Sequence, residues 1–217
     1  VLRGYLHRLG SVRRLLCRAP ENRGAALGGN HRIDGMFEHQ HTLGTGERHS
    51  TAGTALAQTG GGIDHIRVVV DRNPVREVLV LEPLRALPML AFRFRMEQAS
   101  PVRALVRTRD GRWHVGHTWV NAAGGGCTVP GLTRADGSWS RTLGQVQARV
   151  FRNVIDGGTR LRLRVMHPMD TGLVAGIPAF HLEQLELRDA QDQPVWRMAL
   201  HEPVSENPLL TDRKSVV

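Results

Sequence analysis

The chain is short of cysteine, aromatic side chains, lysine and long apolar runs, and each shortage removes a class of protein. Two cysteines in 217 residues, Cys17 and Cys127, cannot build a disulfide framework or an all-cysteine zinc site. A single pairing between them stays open. No stretch of roughly 18 uncharged apolar residues occurs, so no helical membrane span is expected. Aromatic residues make up only 5% and form no stacking platform, which weakens a nucleic-acid reading of the +9 formal charge. The basic surplus is also spread along the chain, at 8 basic against 4 acidic residues over 1–62, 10 against 6 over 63–126 and 11 against 10 over 127–217. Lysine occurs once, at Lys214, and an arginine-only chain fits GC-rich coding better than a nucleic-acid surface. What remains is the composition of a soluble globular protein, 41% hydrophobic and 23% charged, long enough for two small domains.

Residues 1–62 are rich in Arg, Gly, His and Thr and show little apolar periodicity beyond Leu6 to Leu16, so they read as a poorly ordered leader or as non-native upstream sequence. His39, His41 and His49 have a spacing that could share a metal, but the disordered leader is the simpler reading. No apolar segment follows Arg13-Arg14, so no twin-arginine signal is read there. The first residue is not Met, which fits an open-ended fragment. The last six residues, 212–217, look like a translated sequencing adapter and are set aside.

From Ile63 onward short β-like runs dominate. His65–Val70 is β-branched and ends at the turn Asp71-Arg72-Asn73-Pro74. Met89–Met96 alternates apolar residues with Arg, as a half-buried strand does. Val102–Arg107 and Trp113–Val120 flank an Asp110-Gly111 turn and read as a hairpin. The strand pattern stops at Asn121, and residues 127–143 read as an arm and linker between domains spanning 63–126 and 144–211. Beyond it, Val146–Val154, Arg160–Met166, Phe180–Arg188 and Val195–Leu200 are further strand candidates. Arg160, Arg162 and Arg164 share one face of theirs. The expected fold is all-β: two tandem immunoglobulin-like β-sandwiches joined by a Gly-rich linker.

Cys127 stands out because a lone thiol follows Gly124, Gly125 and Gly126. A structural cysteine usually sits on an apolar face. Three glycines instead suggest a flexible, exposed tether that presents the thiol to another protein. An enzyme nucleophile needs a fixed base, so no catalytic residue is assigned. The alternative is an incidental loop cysteine. Met166, His167 and Met169 offer copper-type donors, although a turn at Pro168 is the simpler reading. His114 and His117 fall on opposite strand faces. No metal site or cofactor is expected.

Three blocks in the C-terminal half, His167-Pro168-Met169-Asp170-Thr171-Gly172, Ile177-Pro178-Ala179 and Pro203-Val204-Ser205-Glu206-Asn207-Pro208, resemble the SoxZ family in order and spacing. Upstream, Val69-Val70-Asp71-Arg72-Asn73-Pro74-Val75 and Gly125-Gly126-Cys127 resemble the SoxY family. SoxY followed by SoxZ in one chain is similar to fused carriers associated with quinoprotein dehydrogenases. The resemblance implies a periplasmic, non-enzymatic carrier with sulfur intermediates attached to Cys127. It implies sulfur-oxidation enzymes as partners, or else a quinoprotein (PQQ) dehydrogenase with its cytochrome and no covalent cargo. It makes His167, Pro168, Met169, Thr171, Gly172, Asn207 and Pro208 parts of a structural loop. The attached second domain and the Thr128-Val129-Pro130 sequence depart from a SoxY terminus and imply a shorter reach.

Overall fold

A computed structural model describes residues 15–18, 25–27, 62–152, 159–189 and 191–211. The fold is all-β: among the described residues every ladder is antiparallel and the helices are two of four residues each, α1 (Leu132–Ala135) and α2 (Trp139–Thr142). The strands are β1 (Leu15–Arg18), β2 (Ala25–Leu27), β3 (Ile63–Val70), β4 (Glu77–Glu82), β5 (Ser100–Thr108) and β6 (Trp113–Val120), then β7 (Val146–Arg152), β8 (Thr159–Val165), β9 (His181–Arg188), β10 (Pro194–Leu200) and β11 (Leu209–Thr211).

Period-2 patterning explains most of them. In β8, Leu161, Leu163 and Val165 are buried while Arg162 and Arg164 are exposed, so the expected shared face holds for those two arginines. The side chain of Arg160 lies outside the described residues. In β10, Trp196, Met198 and Leu200 point inward, opposite Leu187 and Leu185 of β9.

Strands from the two expected domains share one sheet. Its order is β2-β1-β9-β10-β4-β3-β5-β6, and a second sheet holds β11-β8-β7. β10 lies directly beside β4, with Arg197 opposite Glu82 and Leu200 opposite Leu79. Ile66, Val68, Leu79 and Leu81 from before residue 127 and Leu163, Val165, Leu185 and Trp196 from after it form one buried cluster. Two sandwiches with separate cores are therefore not what the hydrogen bonding and packing show. A central strand buried between neighbours needs both partners, and β4 takes β3 from one half and β10 from the other.

Three further differences from the sequence reading have local causes. Met89–Met96 is not a continuous strand: Ala91 bridges Thr211 and Phe94 bridges Val204, two separate partners that break the ladder. Residues 127–143 are no free linker, because Cys127 and Thr133 are buried and the two short helices lie among them. Within 1–62, β1 pairs with β9, with Cys17 opposite Leu182. His39, His41, His49 and the 212–217 segment lie outside the described residues.

Candidate functional site: a docked thiol arm

The site begins at the turn after β3. Asn73 is buried, donates through Nδ2 to the Arg95 carbonyl at 2.9 Å and accepts the Glu97 N–H on Oδ1 at 2.9 Å. One side-chain amide thereby fixes the backbone of 95–97. The neighbouring Asp71 is held by Arg103 at 2.7 Å, which keeps its carboxyl below the ordinary range.

That anchored segment receives the glycine run. Gly125 N–H donates to the Glu97 carbonyl and Gly126 N–H to the Met96 carbonyl, each at 3.1 Å. Gly124 and Gly125 have φ of 99° and 73°, which bulkier residues adopt only with strain. At Gly126 a Cβ would lie 2.6 Å from the Met96 carbonyl oxygen, so only glycine allows this approach. Glu97 then caps the next turn: its Oε2 accepts the Cys127 N–H at 3.1 Å and its Oε1 accepts the Thr128 hydroxyl at 3.2 Å.

The other wall comes from the C-terminal half. Thr171 Oγ1 donates to the Cys127 carbonyl at 2.7 Å. Arg134 in α1 binds the buried Asp170 carboxylate at 2.7 Å and stacks on Trp139 at 4.0 Å. Glu206 accepts from the Thr133 N–H and hydroxyl at 3.1 and 3.0 Å. Arg95 reaches across to the carbonyls of Met169 and Pro168 at 2.7 and 3.3 Å.

Cys127 itself is a free thiol, 1% exposed. Burial and the Glu97 charge push its pKa up from 9.0 to about 11, against a smaller opposing pull from Arg95. The expected exposed, freely tethered thiol is thus corrected. Gly124, Gly125 and Gly126 serve here as close-contact residues that let the arm lie flat on 96–97, and the thiol is in its neutral, unreactive form while the arm is docked.

The motif residues of the C-terminal half meet beneath this arm. His167 donates its N–H to Asn207 Oδ1 at 3.1 Å, and Asn207 returns its own to the His167 carbonyl at 2.7 Å. Pro208 accepts the Val165 N–H at 3.0 Å, Pro168 is buried, and Gly172 adopts φ 75° against Ala179. His167 Nδ1 accepts the Met169 N–H at 3.0 Å, and Met169 Sδ accepts that of Leu182 at 3.3 Å, so two of the three copper-type donor residues are engaged by backbone. Burial, with the nearby charges of His181 and Arg134, lowers the His167 pKa to about 3. Among the described residues no three His, Cys, Asp or Glu side chains converge as a metal site, and no helix is long and apolar enough to cross a membrane.

Residues 50–127 match the family model described as sulfur oxidation protein SoxY, and the match ends on Cys127. This stretch is SoxY-like. The match supports a carrier role in sulfur oxidation. No curated protein and no solved structure matches the chain. The SoxY-like segment therefore contains the turn at Asn73, the clamp at Glu97 and the thiol. Glu97 and the Arg134–Asp170 pairing escaped the sequence reading, and Thr171 was read as part of a structural loop without its bond to Cys127. These contacts span 30 or more positions in the chain, which no local pattern reveals.

Proposed function

We propose that the chain is a non-enzymatic carrier that holds sulfur species covalently on Cys127 and presents them to separate sulfur-oxidation enzymes. The observation carrying this reading is the SoxY match that ends on Cys127, directly after three glycines. The simplest loading step is exchange with a polysulfide. The Cys127 thiolate attacks the terminal sulfur, a new S–S bond forms, and the adjacent S–S bond breaks. The shortened polysulfide leaves with the electron pair. Conjugating thiosulfate instead removes two electrons, which a separate oxidising partner must accept. Residues 144–211 act as the SoxZ-like half of a fused carrier, on the strength of the His167–Gly172, Ile177–Ala179 and Pro203–Asn207-Pro208 motifs. We place the chain in the periplasm on the same resemblance.

The docked thiol is a resting state. A pKa near 11 disfavours the thiolate, so loading requires the 124–128 turn to lift off Met96 and Glu97. The same burial favours a second reading, an accessory module of a quinoprotein dehydrogenase system in which the thiol carries nothing. Intact mass spectrometry of the full chain before and after polysulfide, and again after reductant, separates the two. Reductant-labile additions localised to Cys127 support the carrier. A thiol that stays unmodified while the chain binds a dehydrogenase supports the accessory module.

A further inference from the structure

Below the arm lies a cleft of about 680 Å³ with a strongly one-sided lining. Arg93 and Arg95 come from the segment before β5, Arg162 and Arg164 from β8, and Val129 and Pro130 from the residues just after the thiol. Glu206 is the one carboxylate in that lining, and its Oε2 is already engaged by Thr133.

Several arginines elsewhere are paired, Arg67 with Glu77, Arg85 with Asp189, Arg103 with Asp71, Arg134 with Asp170 and Arg197 with Glu186, while Arg72 and Arg109 are turned to backbone carbonyls. Among the described residues Arg93, Arg162 and Arg164 have no carboxylate within ion-pair distance. The neighbouring ladder adds to the imbalance, because Arg149 of β7 sits directly opposite Arg162 of β8. Like charges in cross-strand register are destabilising. Here they share only the Phe151 ring, at 5.9 and 5.7 Å. A chain that keeps this arrangement holds positive charge ready for an anion.

We propose that this cleft is a binding site for a small tetrahedral sulfur oxyanion, of the sulfonate or thiosulfate class, including the one borne by the arm. Guanidinium forks match tetrahedral oxyanions with paired N–H donors. The concavity suits a small anion, and its volume leaves room for the residue that carries it. Arg95 connects the two sites: it lines the cleft, and its charge acts on the Cys127 thiol in favour of the thiolate. That the oxyanion is the arm's cargo rests on the carrier reading. That the cleft takes an oxyanion does not.

The test is calorimetric titration of thiosulfate and sulfate into the full chain at low ionic strength. It uses the wild type, Cys127→Ser and the double variant Arg162→Gln/Arg164→Gln, with circular dichroism as the check on folding. Both arginines are exposed on β8, so the double variant stays folded. Binding is expected in the wild type and in Cys127→Ser, and at least tenfold weaker in the double variant. Equal binding by the double variant overturns the site, as does an identical response to sodium chloride. So does binding of an acidic peptide where thiosulfate fails. A second arm separates tethered from free anion by labelling Cys127 with a sulfonate-bearing or a neutral methanethiosulfonate. In each case the thiolate forms a disulfide and methanesulfinate leaves. The tethered sulfonate is expected to block free thiosulfate, and the neutral label is not. Unchanged binding after sulfonate labelling overturns the tethered occupant alone. Absence of any polysulfide adduct overturns the carrier reading while leaving the arginine dependence intact.

Discussion

Thr171 Oγ1 donates a 2.7 Å hydrogen bond to the carbonyl of Cys127, so a loop of the C-terminal half holds the backbone that bears the thiol of the SoxY-like segment. On the opposite side Glu97 holds the N–H of the same residue. The thiol is clamped through its peptide groups, and its own sulfur is left to desolvation.

Replacing Glu97 by Gln removes a charge that raises the Cys127 pKa and weakens the clamp on Cys127 and Thr128. Both effects increase reactivity. Alkylation by a neutral reagent at pH 8 is expected to accelerate more than tenfold. An unchanged rate would show that Glu97 does not control access.

The same raised pKa makes docking pH-dependent. The docked thiol keeps its proton up to about 11, whereas a released one loses it near 9.0, so the released state binds fewer protons between those values. Docking therefore weakens as pH rises through that window, by up to about tenfold per unit. The test is the pH profile of thiol protection in hydrogen exchange and alkylation.

Two neighbouring glycines should behave differently. Gly126→Ala places a methyl 2.6 Å from the Met96 carbonyl and is expected to lift the arm, exposing the thiol to alkylation. At Gly125 a Cβ meets nothing within 4 Å, so alanine there costs only its φ strain, about 1–2 kcal/mol. Thiol accessibility, read beside the unfolding midpoint, distinguishes the two variants.

His167 predicts acid sensitivity. It stays neutral when folded, with a pKa near 3, but binds a proton near 6.5 when unfolded. Stability is full above about 6.5 and falls toward pH 3, with a slope of up to about 1.4 kcal/mol per unit. His167→Asn keeps an acceptor near the Nδ1 position and is expected to flatten that limb by one proton. Urea midpoints across pH 3–7 measure it.

Buried and exposed ion pairs give a further contrast. Arg134→Met leaves the Asp170 carboxylate, 3% exposed, without its partner and is expected to cost about 3–5 kcal/mol. Arg67→Met breaks a pair whose side chains are 46% and 32% exposed and is expected to cost about 1 kcal/mol or less. Equal losses in thermal unfolding would contradict the burial argument.

Legibility in the sequence followed the range of the interactions. The bounds of the Trp113–Val120 strand were legible because the Asp110-Gly111 turn is local, but its facing was not: Trp113 and Trp119, which their even spacing marks as core residues, are half exposed on the last strand of the sheet. The inward set Trp196, Met198 and Leu200 was visible because alternation is local. β4 was missed because Val78 and Leu79 are both buried, which erases period-2 patterning. The arm was misread because its docking depends on Asn73 organising Glu97, a relation across 24 positions. Arginines spread evenly along the chain gather around one cleft only after the segment before β5, β8 and β11 come together.

The arm is anchored at both ends, at Val120 closing β6 and at Val146 opening β7. A peptide reaches at most about 3.5 Å per residue, so even fully released the thiol stays within about 25 Å of the end of β6. Its working space is a leash radius, shorter again if only the glycines flex. Any enzyme acting on Cys127 must bring its reacting groups inside that radius, with a shallow mouth or by docking against the shared sheet.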